Sequence, residues 1–304
     1  MKNVTQFILA AFIGGSMIPR TSPGGEQPGY SFSPKSPIRY HYTETTTVTT
    51  LVTAARSSCT VSHTCWARGT LVLQPLQQSH TATRFSVHCD SPAVNWTIIM
   101  GTNVLLCSVT PSNTVEGTLN GSPGEPDREI MDDVAGLYAT GFVTIANSGN
   151  ATHFSGSRAF RMYWGRWERM LPLVFATNPV PVGTSWSRRF THPGLTATDP
   201  DLKIYESIST KRLPDRDIDG HTYSVFSITS SAMNLPGKVA DASASFEMAN
   251  SRGECSVIFD TEHGTLYRSI SKHHADMQLG MQEKAKDGNA VLLTERTIRL
   301  SIAE

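Results

Sequence analysis

The densest set of oxygen ligands in the chain is Asp215-Arg-Asp-Ile-Asp-Gly220. Asp215, Asp217 and Asp219 match positions one, three and five of a calcium loop, which also needs a bidentate glutamate at position twelve. Position twelve is Phe226, and the residues after the motif alternate as a strand does, not as a helix. The expectation is an acidic β-turn with Gly220 at positive φ. Calcium at Asp215, Asp217 and Asp219 is the alternative, and no other cofactor is expected.

His273-His274-Ala-Asp276 is the second candidate metal cluster. Adjacent residues of a strand point to opposite faces, so His273 and His274 do not share an ion easily. His274 and Asp276 do share a face, and a third ligand such as His263 would have to arrive from a neighbouring strand. His88-Cys89-Asp90 meets the same objection. A metal-assisted secreted hydrolase would be built on His263, His274 and Asp276. Gly-x-Ser-x-Gly, the P-loop and the dinucleotide fingerprint are absent, and Glu168 has no identifiable carboxylate partner for sugar hydrolysis.

A third kind of chemistry is apolar. From Ser157 to Leu171, Phe160, Tyr163, Trp164, Trp167, Met170 and Leu171 fall on one face of a helix, with Arg158, Arg161, Arg166 and Arg169 spread opposite. Ser155 or Ser157 is placed to cap it and Pro172 to stop it. Such a stripe either fills the core above a sheet or, through Phe160, Tyr163, Trp164 and Trp167, lines an apolar cleft for a ligand.

The elements that must position these residues are strands. Tyr40 to Val52, Trp66 to Leu76, Thr83 to Cys89, Asn95 to Met100 and Val104 to Val109 are rich in β-branched and aromatic residues. A polar loop from Pro111 to Asp133 follows, then a strand pattern from Gly136 to Ile145. In the second half, Leu202–Thr210 and His221–Ser230 flank Asp219-Gly220. Ser256–Asp260 and Thr265–Ser271 flank residues 261–264, and Met277–Ala285 and Asn289–Ile302 flank residues 286–288. Three consecutive hairpins make an antiparallel meander. Residues 240–249 fit a strand or a helix equally.

The termini and composition set the compartment. Lys2 precedes an apolar stretch, Phe7 to Ile13, and then small residues, the parts of a secretory signal over residues 1–18. The alternative is a first strand or helix of the fold. Residues 19–37 are rich in Pro, Gly and Ser and are expected to be an exposed linker. Of the 5 cysteines, Cys59 with Cys65 and Cys89 with Cys107 are candidate disulfides in an oxidising compartment, leaving Cys255 buried. Five reduced, buried thiols are the alternative. Basic and acidic residues balance at 26 each, so the chain lacks the cationic surplus of a general nucleic-acid binder. No apolar run is long enough for a transmembrane helix.

Val180-Pro-Val-Gly-Thr-Ser-Trp186, the Asp-Gly hairpin and Phe259-Asp-Thr-Glu-His-Gly-Thr-Leu266 together resemble uncharacterised exported β-rich bacterial envelope proteins. The match covers mainly residues 172–304, and the lipoproteins among those proteins carry an anchoring cysteine that this chain lacks. The resemblance implies an envelope location and a binding or structural role, and it supplies no catalytic residues.

The expected molecule is therefore mainly β: antiparallel meander sheets, open-barrel or sandwich-like, with one central amphipathic helix. Residues 38–156 form one β half, 157–171 the helix and 172–304 a second β half, the halves packing as one curved sheet or as two adjoining domains. It is expected to be secreted, periplasmic or in the cell envelope and more a binder than an enzyme. Its partner would be an apolar or amphipathic small molecule or an envelope component. A surface assembly or adhesion subunit is the third reading.

Overall fold

The computed structural model describes residues 30–54, 57–109, 115–123, 135–149, 151–164, 180–193, 203–234, 237–238, 244–283 and 286–303. The strands are β1 (Ile38–Ala54), β2 (Ser57–Gln78), β3 (Ala82–Met100), β4 (Asn103–Val109), β5 (Val115–Leu119), β6 (Ser122–Pro123), β7 (Gly141–Ala146) and β8 (Ala151–Gly156). After the helix α1 (Arg158–Trp164) come β9 (Ser185–Pro193), β10 (Lys203–Ile218), β11 (His221–Asn234), β12 (Gly237–Lys238), β13 (Ala244–Asp260), β14 (Thr265–Glu283) and β15 (Lys286–Ile302). They form one antiparallel sheet in the order β6-β5-β4-β3-β2-β1-β15-β14-β13-β11-β10-β9, with β7 and β8 joined beside β3. The first and last strands pair along most of their length, from Tyr40 against Ile302 to Ala54 against Gly288. That ladder makes the sheet continuous between the two expected halves.

Alternation decides which face is inner. On β1, Tyr40, Tyr42, Glu44, Thr46, Val48 and Thr50 are buried, while Thr43, Thr45, Thr47 and Thr49 between them are only partly covered. β15 repeats the pattern with Leu292, Arg296, Ile298 and Leu300. The outer face of the central strands mixes polar residues with exposed apolar ones, Leu51, Ile99 and Leu293 among them. One cross-strand row there runs Arg68, Thr43, Arg299, Ile270, Ser256, Ser227 and Lys211, and another runs Thr47, Glu295, His274, Arg252. Among the described residues no helix is long and apolar enough to cross a membrane.

The sheet curls, and the segment before β1 proves it. Phe32 N–H donates to Asn147 O beyond β7, at 2.9 Å, and Ser33 N–H donates to Gly264 O between β13 and β14, at 3.1 Å. A flat sheet would hold those two carbonyls about 25 Å apart, at about 4.8 Å per strand. Consecutive amides bind both, so the strands wrap until the two hairpin ends meet this strap. Residues 30–34 are thus not the exposed linker expected there. Phe32 is fully buried against Phe85, with ring centroids 5.8 Å apart.

Inside the curl sits α1. Ser157 Oγ accepts from Phe160 N–H at 3.1 Å and caps its first turn. Phe160 and Trp164 are fully buried and Tyr163 nearly so. Glycines form their seat: a Cβ at Gly136 would stand 2.5 Å from Tyr163 Cβ, and one at Gly141 would stand 2.4 Å from the Phe160 ring. Gly136 itself lies in a helical turn at residues 135–138, where a strand was expected, and the strand begins only at Gly141. Trp167 and the rest of the expected 157–171 helix lie outside the described residues, as do the proposed signal and most of the linker.

Two further expectations change. The strand runs ending at Cys89 and beginning at Asn95 are one strand, β3, bent at Ser91, whose φ is 49°. Register against β2 shifts there, between Arg68 and Thr70, as a bulge requires. None of the five cysteines forms a disulfide. Cys59 and Cys65 lie on one strand, β2, six residues and about 20 Å apart. Cys107 faces Trp96 rather than Cys89, which lies about 23 Å further along β3. A disulfide needs Cα atoms within about 7 Å.

Candidate functional site

The inner face near the middle of β1 holds a buried ion pair. Glu44 and Arg296 are almost fully buried and pair through Arg296 Nε and Glu44 Oε1 at 3.1 Å. Thr46 Oγ1 donates to Glu44 Oε1 at 3.0 Å and accepts from Arg296 Nε at 3.2 Å. The other carboxylate oxygen accepts from the Tyr42 hydroxyl and, at 3.4 Å, from the Tyr163 hydroxyl of α1. The two tyrosine oxygens lie 3.1 Å apart. Burying a lone carboxylate would cost several kcal/mol, so these four contacts are what allow Glu44 to stay inside. The cluster also fixes α1 to the sheet, since Tyr163 belongs to the helix.

This face changes character along the strands. Toward Tyr40 it is apolar, with Leu71, Leu73, Phe85, Val143, Phe226, Phe259 and Leu300 in one core. Past Glu44 and Thr46 comes a separate small apolar patch, Val48 and Val61, against which Ile98 and Met100 pack. His63 borders it, buried and 6.4 Å from the Trp96 ring, and burial pushes its pKa down to about 4. His273 occupies the same row as Thr46 and Arg296, opposite Gly253 on β13.

Tyr40 Oη, Thr83 Oγ1, Thr50 Oγ1 and Trp164 Nε1 are buried hydroxyl or indole groups with no hydrogen-bond partner among the described residues. Thr50 Oγ1 lies beyond Val48 on β1, with the residue 1% exposed. Trp164 Nε1 is fully enclosed, its ring 5.3 Å from Tyr42 and 5.0 Å from Tyr163. More than nine in ten buried polar groups find a partner, so each orphan calls for an explanation.

The acidic turn is a type I′ hairpin, with φ of 51° at Asp219 and 82° at Gly220. Its carboxylates do not converge. Asp215 pairs with the buried Arg212, and Asp217 accepts from Thr222 Oγ1 at 2.6 Å. Burial alone would lower the Arg212 pKa, but its bonds to Asp215 and to the Tyr30 hydroxyl raise it overall. Asp215 therefore helps hold the strap.

The histidine set is dispersed as well. His263 lies in the β13–β14 turn, bonded to Asp260 at 2.7 Å, and that contact raises its pKa. His274 pairs with Asp276 at 2.9 Å on the outer face of β14. The strand between Thr265 and His274 separates them by about 30 Å. Among the described residues no group of three His, Cys, Asp or Glu side chains is arranged to hold a metal.

Of the expected site residues, Phe160, Tyr163 and Trp164 are brought together, as part of the core. Glu44, Arg296, Thr46, Thr50 and His63 were missed. A signal for two of them was present: Glu44 interrupts the Tyr40, Tyr42, Val48 series, and Arg296 interrupts the Leu292, Ile298, Leu300 series. A charge on the apolar phase of a strand marks a buried partner.

No protein-family model matches the chain, and no curated protein matches it. Among solved structures it is similar to an outer membrane channel from Pseudomonas putida F1, at 9% identity over 92% of this chain and 100% of that one, with a TM-score of 0.24. It is also similar to the outer membrane channel DcaP of Acinetobacter baumannii, at 6% identity over 86% and 96% of the two chains, with a TM-score of 0.14.

Proposed function

We propose that the protein is an exported, non-enzymatic component of the cell envelope that holds an amphipathic molecule against the inner face of its curled sheet. The observation that carries this reading is the Thr50 hydroxyl, buried with no partner among the described residues beside the apolar patch of Val48, Val61, Ile98 and Met100. An apolar patch next to an unsatisfied polar group fits a ligand with a hydrocarbon part and a polar atom. Trp164 Nε1, likewise unsatisfied, supports the same reading. Lys2 followed by Phe7 to Ile13 supports export.

Native mass spectrometry on protein from an export-competent host tests both parts. The expected result is a chain lacking its N-terminal segment and carrying an added mass of lipid size. A bare chain of full length overturns the proposal. Thr50→Val separates ligand from packing: it is expected to release the bound mass while stabilising the empty protein by about 1 kcal/mol, because an unsatisfied hydroxyl is removed.

A further inference from the structure

The β3–β4 hairpin is apolar on both phases of its strands. Ile98, Ile99 and Met100 lead into its turn, and Val104, Leu105, Leu106 and Cys107 leave it. A strand with an unbroken apolar run is normally covered on both faces. On the inner face this holds: Ile98 and Leu105 pack on the main core, and Ile98 and Met100 on the small patch of Val48 and Val61. The outer phase is open instead, with Ile99 43% exposed and Leu106 48%.

These two residues do not stand singly. Ile99 belongs to a cross-strand row that runs Val104, Ile99, Ser62, Thr49 and Leu293, from β4 to β15. Leu293 is 43% exposed, and so is Leu51, two residues past Thr49 and opposite Val291. Leu106 lies one row the other way, beside Thr97, Thr64 and Thr47. The residues between Leu106 and Leu293 thus carry hydroxyls and no charge. From Ser91 to Val115, hairpin turn included, the chain has no charged side chain at all. Asp276, opposite Leu293 on β14, bounds the patch and is paired with His274. Clustered apolar exposure of this kind marks an interaction site, whereas scattered residues mean little.

The surroundings of the patch favour lipid as the occupant. Toward the strap, the outer face carries Arg68, Arg299, Lys272 and Arg252, all exposed, against Glu254 and Glu295. An uncharged apolar edge with a cationic surplus behind it can lay its apolar side chains among acyl chains and its basic ones among anionic head groups. We infer that Leu51, Ile99, Leu106 and Leu293 dock this end of the sheet onto an anionic lipid surface. This face goes beyond the inner-face reading and does not depend on it. The patch of Val48 and Val61 lies on the inner side of the same strand ends, so docking brings it to the bilayer.

Flotation of the full chain with vesicles of equal parts phosphatidylcholine and phosphatidylglycerol tests the inference. The protein is expected to float with the vesicles, and Ile99→Ser combined with Leu106→Ser to weaken binding at least about tenfold, since two apolar side chains no longer leave water. Ile99→Trp should strengthen binding at unchanged melting temperature, because an indole favours the lipid–water boundary. Leu76→Ser, which alters an exposed apolar residue at the other end of β2, should leave binding unchanged. No flotation, equal loss in Leu76→Ser, or a dimer in free solution that the Ile99 and Leu106 changes dissolve overturns the inference. The bound mass expected on the inner face should survive Ile99→Ser with Leu106→Ser, so failure of one reading is distinct from failure of the other.

Discussion

His273 lies against Gly253, the residue directly opposite it on β13, so closely that a Cβ at Gly253 would stand 2.5 Å from His273 Cε1. The same Cβ would stand 2.6 Å from Ser230 Oγ on β11. The missing side chain at residue 253 is therefore what lets an imidazole lie in the row that holds Thr46 and Arg296.

Gly253→Ala should accordingly destabilise the fold by about 1–3 kcal/mol, the usual cost of overpacking a filled site. His273→Ala should relieve part of that loss when combined with it, because the two residues compete for one space. Denaturant unfolding of both single variants and the double variant measures the coupling; strict additivity would show that the contact is not felt.

Removing one member of the buried ion pair should be costly. Glu44→Gln leaves the Arg296 charge enclosed without its carboxylate and is expected to cost about 3–5 kcal/mol. Glu44→Gln combined with Arg296→Met should be less damaging than the first change alone. Thermal unfolding of the three proteins checks the order.

Acid should weaken the protein through His63. Its folded-state pKa is depressed to about 4 from 6.5, so the folded state holds the neutral ring while the unfolded chain takes up a proton first. Stability from this group is fully present above pH 6.5 and falls progressively between about pH 6.5 and 4, by as much as about 3 kcal/mol. His63→Phe should flatten that part of the stability–pH curve. An unchanged curve would assign the acid sensitivity to other groups.

The thiols should separate by accessibility. Cys59 is exposed, whereas burial pushes Cys89 and Cys255 up to about 12. Cys59 should react first with a thiol reagent in the native protein, and Cys89 and Cys255 only after unfolding. Reducing agent should leave the melting temperature unchanged; a drop would reveal a disulfide.

The sequence by itself determined the fold class and much of its local detail. Alternation from Tyr40 to Val52 and from Leu292 to Leu300 marks strands and their buried phase, because side-chain direction in a strand has a period of two. Asp219-Gly220 announces its hairpin because only residues tolerant of positive φ can make that turn. Ser157 and the aromatic series from Phe160 announce the start of a helix in the same local way. Tertiary structure alone decided the neighbours. Thr46 and Arg296 touch although 250 residues separate them, and the Glu44 cluster exists only because the first strand pairs with the last. Cys59 and Cys65, close in sequence, are kept apart by sharing one extended strand. Periodicity tells which face a residue occupies, whereas pairing order and register are settled by long-range hydrogen bonding and burial, which leave no period in the chain.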